Sequence, residues 1–121
     1  MSSMFDLRIL ILEDETTIST LVAAMLNDLG CAAVKTAVRR DQALNLIRSE
    51  EIDVAILDVN LKGQDSYPVA NELEVRNIPF LFLTGYESEY IPERYRNRPV
   101  LQKPFSERDL VNILSILALG L

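Results

Sequence analysis

The chain has 121 residues, of which 49% are hydrophobic and 25% are charged, as expected for one globular domain with a substantial core. Its formal net charge of −6 argues against non-specific binding to nucleic acid or to anionic membranes. There is no histidine and only one cysteine, Cys31, which excludes Ser-His or Cys-His catalysis, an internal disulfide and a cysteine metal cage.

Apolar runs of strand length alternate with apolar residues at helical spacing along the whole chain. This pattern predicts strands at 8–12, 32–37, 53–57, 79–83 and 100–102. It predicts helices at 15–29, 41–50 and about 69–77, and a last helix from Ser106 onward. Thr16 or Thr17 is expected to cap the first helix, and Asp109 forms a capping box with Ser106.

Two segments depart from regular periodicity. Residues 60–66 are expected to form a loop, with Gly63 at its turn. Residues 85–99 are polar and interrupted by Pro92, so they predict a short or irregular fourth helix. The unbroken alternation of strands and helices predicts a single α/β domain, a doubly wound five-stranded parallel sheet with helices on both faces. No apolar run reaches membrane-spanning length and no signal-peptide pattern opens the chain, so we expect a cytoplasmic protein.

Polar side chains follow four of the predicted strands. Glu13 and Asp14 follow the first strand, Asp58 ends the third, Thr84 ends the fourth and Lys103 follows the fifth. Because the carboxyl ends of parallel strands meet at one edge, these side chains should lie close together. Three crowded carboxylates repel one another, and a divalent cation with oxygen ligands, Mg²⁺ above all, relieves that repulsion.

Each of these residues has an ordinary explanation when it is taken alone. An acidic pair favours a helix N-terminus, an aspartate can form an Asx turn, and Thr-Gly often ends a strand. A lysine before proline is often merely exposed. Their joint occurrence at successive strand ends is what favours a chemical site.

The same residues resemble the receiver domain of two-component response regulators, over nearly the whole chain. The motifs that carry the resemblance are Glu13-Asp14 after an apolar strand, Leu57-Asp58-Val59-Asn60, Thr84-Gly85 and Lys103-Pro104-Phe105. The resemblance implies that residues 1–121 form one receiver domain with the flavodoxin-like strand order 2-1-3-4-5. It also implies a cis Lys103–Pro104 peptide bond.

The resemblance further implies a role for each residue. Asp58 would be the phosphoacceptor, and the Mg²⁺ ligands would be Asp14, Asp58, the backbone carbonyl of Asn60 and, through water, Glu13. Lys103 and Thr84 would contact the phosphoryl oxygens, and Gly85 would leave room for the phosphoryl group.

The implied function is a signalling switch rather than a multiple-turnover enzyme. Asp58 would accept a phosphoryl group from a phosphohistidine on a histidine kinase or a phosphotransfer protein, and water would later hydrolyse the acyl phosphate. Without histidine, the chain cannot itself be the phosphohistidine donor. The output would be phosphorelay or protein contact. Val111, Ile116 and Leu119 lie outside the apolar face of the last helix and suggest a partner or homodimer surface.

The chain also departs from the usual receiver pattern. Val100 stands where an aromatic switch residue is expected, and Lys62 stands where proline is common. The run from Phe80 to Tyr86 resembles the Phe-Ala-Thr-Gly-Tyr motif of the mostly stand-alone "FAT GUY" receivers, often associated with HWE-type histidine kinases. We expect phosphorylation to order or shift residues 85–99 without an aromatic flip, with a signalling role for Tyr86 or Tyr90.

Three other functions use the same type of sheet. An Mg²⁺-dependent aspartyl phosphatase usually needs a second acid two residues after the nucleophile, where this chain has Asn60. A flavin or nucleotide binder needs a phosphate loop after the first strand, where Glu13-Asp14-Glu15 would repel phosphate. A pseudo-receiver that only docks to partners would not need the intact acidic set.

Overall fold

The computed structural model describes residues 6–85 and 91–119, with Asn60 and Leu119 described by their backbone alone. Tyr86 and Tyr90 therefore lie outside the described residues, as does the side chain of Leu119. Among the helices of the described ranges, none has the length and apolar character needed to cross a bilayer.

Within the described residues, the main sheet contains five parallel strands in the order β2-β1-β3-β4-β5. They are β1 (Arg8–Leu12), β2 (Ala33–Ala37), β3 (Val54–Asp58), β4 (Phe80–Thr84) and β5 (Val100–Gln102). Every residue of β3 is buried, because β1 and β4 pair with its two edges and helices cover its two faces. The predicted fold class and strand order are confirmed.

The helices described are α1 (Thr16–Asp28), α2 (Arg40–Ser49), α3 (Tyr67–Val75) and α4 (Glu107–Leu119). The alternating side chains of β3 divide the core between them. Ala55 and Leu57 pack with α2 and α3 on one face, and Val54 and Ile56 pack with α1 and α4 on the other. This two-sided burial explains why the strand is apolar without interruption.

Local differences from the predictions concern the start of α1 and the loop after β3. Glu15, not Thr16 or Thr17, is the N-cap residue, because the backbone carbonyl of Glu15 already accepts from the N–H groups of Ile18 and Ser19. The loop after β3 contains a short antiparallel hairpin of Asn60–Leu61 and Gln64–Asp65. The capping box of α4 is confirmed, with reciprocal Ser106–Asp109 bonds of 3.0 and 3.1 Å.

The segment between β4 and β5 contains a 3₁₀ turn at Glu93–Tyr95, in agreement with the short helix expected there. Tyr95 is 3% exposed and stacks on Tyr67 with ring centroids 5.4 Å apart. Its ring also meets Phe82 edge-on at 6.0 Å. Tyr95 therefore anchors this turn in the core, although the polar residues around it in the sequence gave no sign of its burial.

Two arginines hold the same segment against α3. Arg94 and Arg98 form ion pairs with Glu74 at 3.2 and 2.9 Å, respectively. The Arg98 guanidinium also lies 4.5 Å from the ring centroid of Phe80. Because these cations lie against aromatic rings as well as a carboxylate, they add packing to the electrostatic contact.

Replacement of Phe82 by alanine should lower the free energy of unfolding by about 3–5 kcal/mol. Phe82 is fully buried in β4 and touches Tyr67, Phe80 and Tyr95, so its removal leaves a cavity. Urea unfolding followed by circular dichroism measures the loss. Val75→Ala is the control, because Val75 is 71% exposed. Equal losses for the two variants would contradict the described core.

Candidate functional site

The structure brings the predicted polar residues to one edge of the sheet. Glu13 and Asp14 follow β1, Asp58 is the last residue of β3 and Thr84 is the last residue of β4. Lys103 follows β5, and its backbone N–H donates to the carbonyl of Thr84 at 3.0 Å. Main-chain hydrogen bonds between the parallel strands therefore hold these residues side by side, independently of contacts between their side chains.

Three carboxyl groups of the described chain form a cluster at this edge. Ligand oxygens of Glu13, Asp14 and Asp58 all lie within 4.8 Å of one another. Glu13 is fully buried and Asp58 is 4% exposed, whereas Asp14 is half-buried and opens the cluster to solvent. Glu13 is held in place by its backbone N–H, which donates to the carbonyl of Ala37 at the end of β2.

The ammonium group of Lys103 lies between two of these acids. Its Nζ donates to Oε1 of Glu13 at 2.7 Å and to Oδ2 of Asp58 at 3.2 Å. Burial disfavours the charge on Lys103, but the two carboxyl groups together outweigh that effect, so the pKa of its ammonium is raised. Lys103 thus stays cationic beside the oxygen atoms of Asp58.

The electrostatics of the cluster favour an additional cation. Burial, together with the hydrogen bond and charge of Asp58, raises the pKa of Glu13 to about 8, although Lys103 opposes the shift. Uncompensated negative charge is therefore costly here. The donor set is made of oxygens alone and is partly open to water, which fits Mg²⁺ rather than a softer metal.

The remaining predicted site residues lie at or shortly after the carboxyl ends of β3 and β4. Thr84 is buried at the end of β4, next to Leu83, which is paired in register with Asp58. Gly85 is half-buried directly after it, and the backbone of Asn60 begins the hairpin two residues after Asp58. The Lys103–Pro104 peptide bond is cis, as expected.

Three of the residues predicted for switching and partner contact, Val100, Val111 and Ile116, are described with their side chains. Val100 opens the edge strand β5 and is 42% exposed. Ile116 is 53% exposed on α4, whereas Val111 is half-buried. The apolar exposure predicted on the last helix is therefore present at Ile116.

Sequence reasoning missed two features around the site. One is Tyr95, since nothing local marks it as a core residue within a polar segment. The other is the hairpin after Asp58, for which Gly63 between Leu61 and Gln64 was the available signal.

The sequence is similar to that of known proteins over most of its length. The family model described as "Response regulator receiver domain" matches residues 9–115. The transcriptional regulatory protein PdtaR of Mycobacterium tuberculosis is 32% identical over 113 residues, which cover 90% of this chain and 55% of PdtaR. The chain thus spans about half the length of the curated relatives it matches.

The chain is also similar to solved structures over nearly its whole length. The solution structure of SdrG from Sphingomonas melonis Fr1 is 41% identical, with a TM-score of 0.85 and coverage of 96% of this chain and 98% of SdrG. The BeF3-activated conformation of SdrG is 40% identical, with a TM-score of 0.81 and coverage of 98% and 99%.

Proposed function

This chain belongs to the response regulator receiver domain family, and we propose that it is a phosphorylation-dependent switch whose phosphoacceptor is Asp58. Receiver domains are signalling components of two-component systems. The observation that carries the proposal is the position of Asp58, which lies within a cluster of three acids and accepts a hydrogen bond from Lys103. The existence of a BeF3-activated conformation of SdrG, 40% identical to this chain, supports it, since BeF₃⁻ is a mimic of a phosphoryl group.

The proposed reaction is a phosphoryl transfer from a phosphohistidine on a histidine kinase or a phosphotransfer protein. An oxygen of Asp58 attacks phosphorus, the new O–P bond forms as the N–P bond breaks, and the imidazole leaves with that bonding pair. Lys103 places positive charge beside the oxygen that reacts, and Thr84 offers a hydroxyl at the neighbouring strand end. Catalysis is then mostly positioning and charge stabilisation.

The residues proposed to hold Mg²⁺ are Asp14, Asp58, the backbone carbonyl of Asn60 and, through water, Glu13. When bound, Mg²⁺ supplies charge that offsets the negative oxygens of the transferring group. Gly85, which has no side chain beyond its backbone, leaves space next to Thr84 for that group. Water then hydrolyses the acyl phosphate and returns Asp58 to its carboxylate, so one transfer gives one signalling event rather than repeated turnover.

The proposed kinase, downstream contact and switch segment are inferred from a sequence motif and from exposed apolar residues. The motif from Phe80 to Tyr86 supports a receiver of the FAT GUY type, which a histidine kinase of the HWE type would phosphorylate in the cytoplasm. Exposed Ile116, together with Val111 and Leu119, is the proposed contact for a downstream protein or a second copy. Because Val100 replaces the usual aromatic, we propose that the switch lies in the segment 85–99, with Tyr86 or Tyr90 as its signalling residue.

The protein should gain the mass of one phosphoryl group when it is incubated with Mg²⁺ and a small acyl-phosphate donor. The donor replaces the kinase, because the catalytic groups all belong to this chain. Intact-mass spectrometry measures the gain, and a parallel sample with excess EDTA should show little of it. Absence of the adduct at saturating Mg²⁺ would remove the proposed function.

A further inference from the structure

The strand β5, which leads directly to Lys103, is short and lies at the edge of the sheet. It has three residues and pairs with β4. Of its three side chains only Leu101 is buried, whereas Val100 and Gln102 are exposed. Because the buried face of a strand specifies its register, a single buried side chain specifies the register of β5 weakly. A further contact is therefore needed to fix the position of Lys103.

Arg98 makes a contact that depends on this register. Val100 is paired with Phe82, so the same register continued two residues back places Arg98 opposite Phe80, the first residue of β4. The guanidinium of Arg98 lies 4.5 Å from the ring centroid of Phe80. A shift of β5 by one residue would turn the Arg98 side chain to the other face of the sheet and break this cation–π contact.

Other groups of the folded core hold Arg98 in the same place. Its guanidinium donates to Oε2 of Glu74 in α3 at 2.9 Å. Both side chains of this ion pair are largely shielded, with 32% and 24% of their surface exposed, so water screens the pair less than a fully exposed one. The backbone N–H of Arg98 also donates to the carbonyl of the buried Tyr95 at 3.0 Å. Arg98 is thus tied to α3, to β4 and to the anchored turn before β5.

The contacts of Lys103 require the register that Arg98 favours. The backbone N–H of Lys103 donates to the carbonyl of Thr84, and its Nζ donates to Glu13 at 2.7 Å and to Asp58 at 3.2 Å. One residue of a parallel strand spans about 3.3 Å. A displacement of that size exceeds the tolerance of a hydrogen bond, so a shifted β5 would take the ammonium away from Asp58.

We propose that Arg98 is a positioning residue for Lys103, because its contact with Phe80 fixes the register of β5 and so holds the lysine ammonium beside Asp58. This inference rests on the proposed function, in which Lys103 stabilises the transferring phosphoryl group. Arg98 touches no reacting group and acts through β5. The carboxyl groups proposed to bind Mg²⁺ follow β1 or end β3, so their positions do not depend on the register of β5.

Two substitutions of Arg98 and one matched control separate these contacts. Arg98→Ala removes the cation–π contact and the ion pair, whereas Arg98→Lys keeps a charge for Glu74 but loses the planar group that stacks on the ring. Arg94→Ala is the control. Arg94 also pairs with Glu74, at 3.2 Å, and its guanidinium lies 4.8 Å from the ring centroid of Tyr95, which belongs to its own turn rather than to β4.

The experiment measures phosphoryl uptake from a small acyl-phosphate donor at saturating Mg²⁺ by time-resolved intact mass. Arg98→Ala should react about tenfold more slowly than the wild type, and Arg98→Lys about threefold, whereas Arg94→Ala should stay within about twofold. Mg²⁺ affinity, measured by calorimetry, should be the same in all four proteins. Circular dichroism checks that each variant is folded, and Arg98→Lys carries the test by itself if the alanine variant is not.

A double variant distinguishes positioning from a general loss of structure. Arg98→Ala combined with Lys103→Ala should react at the rate of Lys103→Ala alone, because the arginine acts through the lysine. A further tenfold slowing in the double variant, or equal slowing in Arg94→Ala, would overturn the positioning role. Wild-type rates in both Arg98 variants would also overturn it and leave the proposed function intact. A wild-type chain that takes up no phosphoryl group would overturn the proposed function and this inference together.

Discussion

Replacing Asp58 by asparagine is expected to abolish phosphoryl uptake from a small acyl-phosphate donor. Asparagine keeps the shape of the side chain and an oxygen that can accept from Lys103, but its amide is not a nucleophile toward phosphorus. The measurement is intact mass after incubation with Mg²⁺ and the donor. The loss should be complete rather than partial, since the proposed transfer needs the carboxylate of Asp58 as its nucleophile.

Asp41→Asn is the matched control for this substitution. Asp41 is exposed on α2 and forms an ion pair with Arg39 at 3.2 Å, outside the acidic cluster. It should therefore take up the phosphoryl group as the wild type does. Retention of the full adduct by Asp58→Asn would show that another residue accepts the phosphoryl group.

Replacing Lys103 by alanine should slow phosphoryl uptake by a factor of about 10²–10³, the usual cost of losing one group that stabilises transition-state charge. The Nζ of Lys103 now lies 3.2 Å from Oδ2 of Asp58, where charge is redistributed during transfer. Mg²⁺ affinity should be retained or increased, because the substitution removes a cation from beside the metal ligands. The rate is measured by time-resolved intact mass and the affinity by calorimetry.

Two further variants interpret that result. Lys35→Ala removes an exposed lysine of the edge strand β2 and should leave both quantities unchanged. Lys103→Arg keeps the positive charge but replaces a compact ammonium by a planar guanidinium, so its rate should recover only in part. If Lys103→Ala lowered Mg²⁺ affinity and rate together, the lysine would be acting on the metal site rather than on the phosphoryl group.

The fold could be predicted because its determinants are local and repeated. The run from Val54 to Leu57 is apolar at every position, as expected for a strand that is covered on both faces. All four residues are buried in the structure. The acidic pair, Asp58 and Lys103 could be placed together because parallel strands end at one edge, although Glu13 and Lys103 are 90 positions apart. Topology, not proximity in sequence, carried that prediction.

The features that escaped prediction depend on contacts between distant elements. Tyr95 is buried because Tyr67 of α3 and Phe82 of β4 receive its ring, and the polar residues around it give no periodic signal. The turn at Lys62 and Gly63 depends on how Leu61 is held in the core. The start of α1 at Thr16 depends on the carbonyl of Glu15, whereas the sequence pattern favoured a threonine cap.

The central claim, that Asp58 carries the phosphoryl group, is tested most directly by locating the adduct. An acyl phosphate is reduced by borohydride, which converts a phosphorylated aspartate to homoserine, and peptide mass spectrometry then identifies the altered residue. The account predicts homoserine at position 58 in the sample treated with Mg²⁺ and donor, and none in the EDTA sample. Homoserine at Asp14, or a stable phosphate on a serine or threonine with Asp58 unchanged, would contradict it.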